Sequence, residues 1–261
     1  MGILLMLVAA AVAAPLLAPY SPSEIHDKSL LSSPSPEFWF GTDQLGRDLF
    51  SRLLHGGRVS LRISLLSVLL GTVLGGLLGA GSGYFRGKLD MLGQRFVDIL
   101  LAFPPLVLAM LIVVVIPPSE LSVVVAIGAT ILPYGTRVIR SVVLTIRETE
   151  YVQAARAIGS AEHSILLRHV LPNTLAPWIV LMSIAASQAI ITEATLGFLG
   201  LGVPAYIPTW GGALSAEARL YVETAPWLAI APGLLITVTA LCFNLLGDTL
   251  RDLLDPRLQH R

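Results

Sequence analysis

Apolar residues gather along this chain in six long stretches, at residues 1–20, about 61–83, 96–116, about 121–137, 175–198 and 226–246. Each reaches or approaches the roughly 20 residues that a helix needs to cross a bilayer core. Pro117-Pro118 separates the third stretch from the fourth, because proline cannot continue a helix there. The first stretch also has the length of a signal peptide, with Ala11 and Ala13 at a cleavage-like spacing. A signal peptide carries a basic lead, and no Lys or Arg precedes Lys28, so an uncleaved span is the better reading. The same missing charges suggest that the natural chain starts upstream of Met1.

Between the first two stretches, Leu45, Leu49, Phe50, Leu53 and Leu54 recur at helical spacing, with Arg47, Asp48, Ser51 and Arg52 on the other face. This predicts an amphipathic helix, lying at the outer membrane boundary or packed as a loop helix on its own protein. The second stretch carries Gly71, Gly75, Gly79 and Gly83 four residues apart, with Gly76 beside them. Such a strip lets another helix approach closely, from this chain or from another subunit.

Composition agrees with a membrane protein. Hydrophobic residues make up 54% of the 261, charged ones only 13%, and the mean hydropathy is +0.77, where soluble domains are nearer a quarter charged. Seventeen basic against seventeen acidic residues argue against a nucleic-acid binder, and the lone Cys242 excludes a disulfide framework. Topology makes the charges informative. With the N-terminus in the cytoplasm and six spans, the inner segments hold Arg86, Lys88, Arg95, Arg137, Arg140, Arg147, Arg156, Arg168, Arg251, Arg257 and Arg261. The outer ones hold Lys28, Arg47, Arg52, Arg58, Arg62 and Arg219. Eleven against six favours N-in, C-in.

The segment at about 148–173 then falls in the cytoplasm. It reads as a short helix, a reversal at Gly159, a second short helix capped by Ser160, and a stop at Pro172. Ala154, Ala155 and Ile158 beside charged residues suggest a docking knob, though an ordinary inter-span loop has the same composition.

That loop resembles the EAA motif of ABC-importer permeases, E-A-A-x3-G-x9-I-x-L-P. It stands here as Gln153-Ala154-Ala155, Gly159, His169, Leu171 and Pro172 with the spacing kept. Gln153 replaces the Glu and loses its charge. His169 replaces the Ile, and the His-x-Leu-Pro-Asn ending is similar to the dipeptide/oligopeptide/nickel group. The C-type permease of that group is further resembled by Gly41-Thr42-Asp43-Gln44-Leu45-Gly46-Arg47-Asp48, by Asp98-Ile99-Leu100-Leu101-Ala102-Phe103-Pro104 and by Glu193-Ala194-Thr195-Leu196-Gly197-Phe198. Phe243-Asn244-Leu245-Leu246-Gly247-Asp248 and Leu254-Asp255-Pro256-Arg257 complete the set, in family order.

The resemblance implies an all-α integral membrane protein of the bacterial cytoplasmic (inner) membrane. Span 1 would occupy 1–20, an extracytoplasmic loop 21–60, and a permease core 61–261 with a cytoplasmic tail at 248–261. The implied partners are a second homologous permease, two cytoplasmic ABC ATPases and an extracytoplasmic substrate-binding protein. Gln153, Ala154, Ala155, Ile158, Gly159, His169, Leu171 and Pro172 would form the coupling helix that docks on an ATPase. A bulky residue at Ala155 or a stiff one at Gly159 should then uncouple transport from ATP hydrolysis. The implied substrates are dipeptides or oligopeptides, with a nickel chelate as the alternative.

Two ionisable residues lie within or at the ends of apolar stretches, where charge is costly and often functional. For Asp98, close behind Arg95, a structural ion pair comes first. Glu193 is open between lining a path and pairing with another helix. No chemistry of the chain's own is visible. Neither lysine, Lys28 or Lys88, ends a phosphate-binding G-x4-GK[ST] loop, so ATP and Mg belong to partner subunits and no cofactor to this chain. The five histidines form no HExxH zinc pair. A secondary transporter should show inverted repeats and coupling-ion carboxylates, and an intramembrane enzyme paired catalytic groups. Neither pattern is found, and the chain is not read as an enzyme.

Overall fold

The structure is a computed structural model that describes residues 2–215, 220–221 and 223–254. Arg219, Arg257, His260, Arg261 and the Asp255-Pro256-Arg257 run lie outside the described residues. Among those described, the protein is helical without a strand; one isolated bridge pairs Thr42 with Asp48.

Helices α1 (Gly2–Val12) and α2 (Ala14–Leu17) come first, and a loop leads to α3 (Leu49–Phe85). The chain then forms α4 (Gly87–Leu101), α5 (Pro105–Val115) and α6 (Glu120–Arg147). Short helices α7 (Glu150–Ala157) and α8 (Glu162–Ile165) follow, then a π-helical turn (Leu166–Val170) and α9 (Leu171–Phe198). Last come α10 (Trp210–Ala213) and α11 (Trp227–Leu254).

Among the described residues, four helical runs are long and apolar enough to cross a membrane: α3, α6, α11 and the continuous run Glu162–Phe198. The third apolar stretch is not one straight span. It breaks between α4 and α5, which are bent by 90° and count as a fifth crossing only together. Pro104 and Pro105 explain the break, since a proline ring clashes with the preceding turn and has no amide to donate. The first stretch gives α1, whose 11 residues reach about 16 Å, half a bilayer core.

The loop before α3 also departs from expectation. No separate amphipathic helix covers 44–54. Asp48 caps α3 by accepting from the Ser51 amide at 2.8 Å, so Leu49, Phe50, Leu53 and Leu54 become its first turns. Gln44–Arg47 instead form a turn built on Asp43. One oxygen of Asp43 accepts the amides of Leu45 and Arg47, each at 2.9 Å, and the other accepts Arg47 Nε at 2.7 Å. Helical spacing across 45–54 could not show that Asp43 and Asp48 divide the segment into a turn and a helix start.

The glycine strip finds its partner inside the chain. A Cβ on Gly71 would lie 2.6 Å from the Gly128 carbonyl oxygen, and one on Gly83 3.0 Å from that of Arg140. Gly75 and Gly79 press as closely on the carbonyls of Leu132 and Thr136. Both series advance by four in the same direction, so α3 and α6 run parallel in backbone contact. Gly76 serves a third helix, giving room for the Trp178 ring of α9.

Parallel packing fixes the path of the chain. Arg62 of α3 pairs with Glu120 at the start of α6 at 2.6 Å, and Arg86 pairs with Glu148 at the other end at 2.6 Å. The chain must therefore return between these ends through the bent α4–α5 pair. At the Arg62 end, the Trp210 segment plugs in between α3 and α9. The Trp210 amide donates to Ser60 Oγ at 3.1 Å and its Nε1 to the Leu53 carbonyl at 2.9 Å. Gly57 leaves room for the ring, and Gly197 for the backbone at Gly211.

Candidate functional site

At the Arg86 end, the connection from α6 to α9 makes a compact elbow. Helix α7 ends because Gly159 takes the left-handed conformation, φ +81°. The Gly159 amide then donates to the Arg156 carbonyl at 3.0 Å and the Ser160 amide to that of Ala155 at 3.1 Å. This paired closure is the Schellman arrangement, which glycine adopts at low cost. The predicted reversal at Gly159 is therefore present.

Other expectations for the elbow are corrected. Ser160 does not cap the second helix: the residue at the cap of α8 is Ala161, and no side chain accepts there. Pro172 does not stop the unit either. Leu171 is helical at φ −57°, ψ −43°, and Pro172 sits in the first turn of α9. The wide π-helical turn ahead of it, which contains His169, is the physical reason. It carries the chain into α9 where a proline's missing amide is tolerated. Asn173 Nδ2 donates to the His169 carbonyl at 2.6 Å, across the junction.

Burial divides the motif residues into two sets. Ala155, only 8% exposed, joins Val152, Ile165 and Val170 in a small apolar core with Ala80 and Tyr84 of α3 and Ile139 and Val143 of α6. Ala155 thus packs inward. Tyr151, Ala154 and Ile158, spaced i, i+3 and i+7, face out, and Ile158 is 82% exposed. Gly159 and Pro172 are exposed too, while His169 and Leu171 are half-buried. Gln153 is exposed and its amide reaches the Arg147 carbonyl only at 3.4 Å.

A polar cluster closes the elbow, and sequence reasoning missed it. Glu162 accepts from Tyr84 Oη at the end of α3 and from Arg156 of α7 at 2.8 Å (Nε) and 3.3 Å (Nη2). The Arg147 guanidinium lies over the Tyr84 ring, 5.7 Å from its centroid. Hydrogen bonding to the Glu162 carboxylate, and then to Tyr84, holds Arg156 above its ordinary pKa. The four residues come from α3, α6, α7 and α8, and no single helical period relates them.

The two ionisable residues of the apolar stretches separate clearly. Asp98 is in an ion pair, but with Arg137 of α6 at 2.9 Å rather than Arg95, and both groups are half exposed. Glu193 is buried, 3% exposed, on α9 against α3 with the Ser60 hydroxyl beside it. Its Oε2 has no hydrogen-bond partner among the described residues. No group of His, Cys, Asp and Glu among the described residues could hold a metal ion.

Comparison with known proteins gives a consistent result. A family described as "Binding-protein-dependent transport system inner membrane component" matches residues 60–260. The dipeptide transport system permease protein DppC of Alkalihalophilus pseudofirmus is 41% identical over 249 residues, covering 95% of this chain and 82% of that protein. The di/tripeptide transport system permease protein DppC of Pseudomonas aeruginosa is 44% identical, covering 98% of this chain and 86% of that one. The glutathione transport system permease protein GsiD of Escherichia coli is 39% identical, covering 98% and 84%. Among solved structures, a chain of the inward-facing MetNI methionine ABC transporter superposes with a TM-score of 0.64 at 17% identity, over 79% of this chain and 98% of that one. The fold is shared with that transporter, and the apolar helices make this a multi-pass membrane protein. The chain belongs to the family of inner-membrane components of binding-protein-dependent transport systems.

Proposed function

We propose that this permease carries peptides inward as one of two membrane subunits of an ATP-driven importer. The elbow between α6 and α9 is the observation that carries this reading. It is a short helix with an apolar outer edge, closed by a rigid Gly159 turn and continuous with long helices on both sides. A lever of this kind transmits a push at its tip into the membrane. The relatives named above are peptide and glutathione permeases, which supports a peptide substrate.

In this reading the elbow is cytoplasmic and six crossings place both termini on that side. Span 1 (1–20) contains α1 and α2, and the extracytoplasmic segment 21–60, ahead of the core at 61–261, ends in the first turns of α3. The excess of basic residues at the elbow end supports that orientation. A second permease completes the path, two ATPases with their ATP and Mg receive the elbows, and an extracytoplasmic binding protein delivers the peptide. The setting is a bacterial cytoplasmic membrane.

Reconstitution of the chain with its companion permease, ATPases and binding protein in proteoliposomes tests this. Peptide uptake should require ATP inside the ATPase-bearing compartment and be raised by loaded binding protein. Uptake driven by an ion gradient with the ATPases absent would contradict it.

A further inference from the structure

The elbow is joined by the chain itself to α6 and α9, and only side chains tie it to α3. Those side chains converge on Glu162. Its carboxylate accepts from Tyr84 Oη, whose residue is 2% exposed at the end of α3, and from both Nε and Nη2 of Arg156 on α7. The Arg147 guanidinium at the end of α6 lies over the Tyr84 ring, 5.7 Å from its centroid. Ala80 and Tyr84 meet Val152, Ala155 and Ile165 in the apolar core beneath it.

We propose that Glu162 is a positioning residue for transport, locking the elbow to α3 through Tyr84 and to α7 through Arg156. The proposal rests on the reading of the elbow as the ATPase-coupled lever. Glu162 lies across the Gly159 reversal from Arg156, so their pair holds α7 and α8 at a fixed angle. The Tyr84 bond then passes any movement of that rigid pair to α3. Because α3 is in backbone contact with α6 along its glycine strip, the elbow, α3 and α6 move as one body. With Tyr84 uncoupled, a push at the tip still reaches α6 and α9 through the backbone, but α3 receives it only through α6 and the apolar core, without the direct polar tie at its own end. A charge-assisted hydrogen bond suits this role, being stronger than one between neutral groups and directional where the apolar contacts below it are not.

The test uses the reconstituted complex and reads peptide uptake per ATP hydrolysed. Tyr84→Phe removes only the hydroxyl, and Glu162→Ala removes the node; neither touches the exposed edge at Tyr151, Ala154 and Ile158. Each variant should co-purify with the ATPases as wild type does while uptake per ATP falls at least about fivefold. Arg156→Gln, which leaves the Tyr84 bond, should lose less than Tyr84→Phe. Wild-type uptake per ATP in both Tyr84→Phe and Glu162→Ala overturns the proposal. A loss of ATPase binding in proportion to the loss of uptake also overturns it, because the cluster would then merely fold the elbow. Failure of the wild-type complex to use ATP is a different result, which removes the lever reading itself.

Discussion

Adding a single carbon at Gly71 perturbs the contact between α3 and α6 and little else. In Gly71→Ala the new Cβ would stand 2.6 Å from the Gly128 carbonyl oxygen and 2.7 Å from Ile131 Cβ. Ordinary contact begins at 3.4 Å, so the helices must part by about 0.8 Å, and one of the two obstacles is backbone that cannot rotate away. Overpacking of this kind costs about 1–3 kcal/mol. Alanine is also the better helix former, by up to about 1 kcal/mol, which partly conceals the clash. Gly81→Ala on the same helix corrects for that, because a Cβ at Gly81 meets nothing within 4 Å. The difference between the two variants therefore isolates the clash. Thermal unfolding of the detergent-purified protein should place Gly71→Ala below Gly81→Ala by an amount equivalent to about 1–3 kcal/mol. Equal melting temperatures would refute the parallel glycine-strip packing.

Further outcomes follow from single contacts. Trp210→Phe removes the second donor to the Leu53 carbonyl, which keeps its intrahelical bond, and leaves part of the buried indole slot empty, so thermal unfolding should show a loss of about 1–3 kcal/mol. Asp98→Asn breaks an ion pair whose two groups are half exposed, so the same measurement should move by less than about 1 kcal/mol. Gly159→Val places a β-branched residue at φ +81°, where the site has room but the backbone conformation does not suit it. Peptide uptake should be lost with the protein still inserted, as read by membrane-fraction abundance, and wild-type uptake by Gly159→Val would contradict the rigid turn.

Much of this protein was legible from residue order because bilayer thickness and glycine geometry act locally. The apolar stretches, the strip from Gly71 to Gly83 and the reversal at Gly159 each follow from a short segment and its period. What the strip packs against was not legible, since Gly128, Leu132, Thr136 and Arg140 show no small-residue pattern of their own. Their backbone carbonyls, more than their side chains, form the contact. The orientation of Ala155 was hidden for a related reason. In Gln153-Ala154-Ala155 all three positions are plausible on either face, and only the core from Ala80 to Val170 decides which turns inward. The Tyr84–Glu162–Arg156 cluster joins residues up to 78 positions apart, where no spacing rule reaches. Pro172 misled because a proline that usually ends a helix sits equally well in the first turn of a new one.

Ile158 offers the most direct test of the claim that the elbow couples this permease to an ATPase. The residue is 82% exposed at the tip and touches none of the chain's own core, so Ile158→Glu should leave the melting temperature of the isolated chain unchanged. In the proteoliposome complex the same variant should lose ATPase co-purification and binding-protein-stimulated ATP hydrolysis together. Full stimulation by Ile158→Glu, with the ATPases bound as in wild type, would contradict the account.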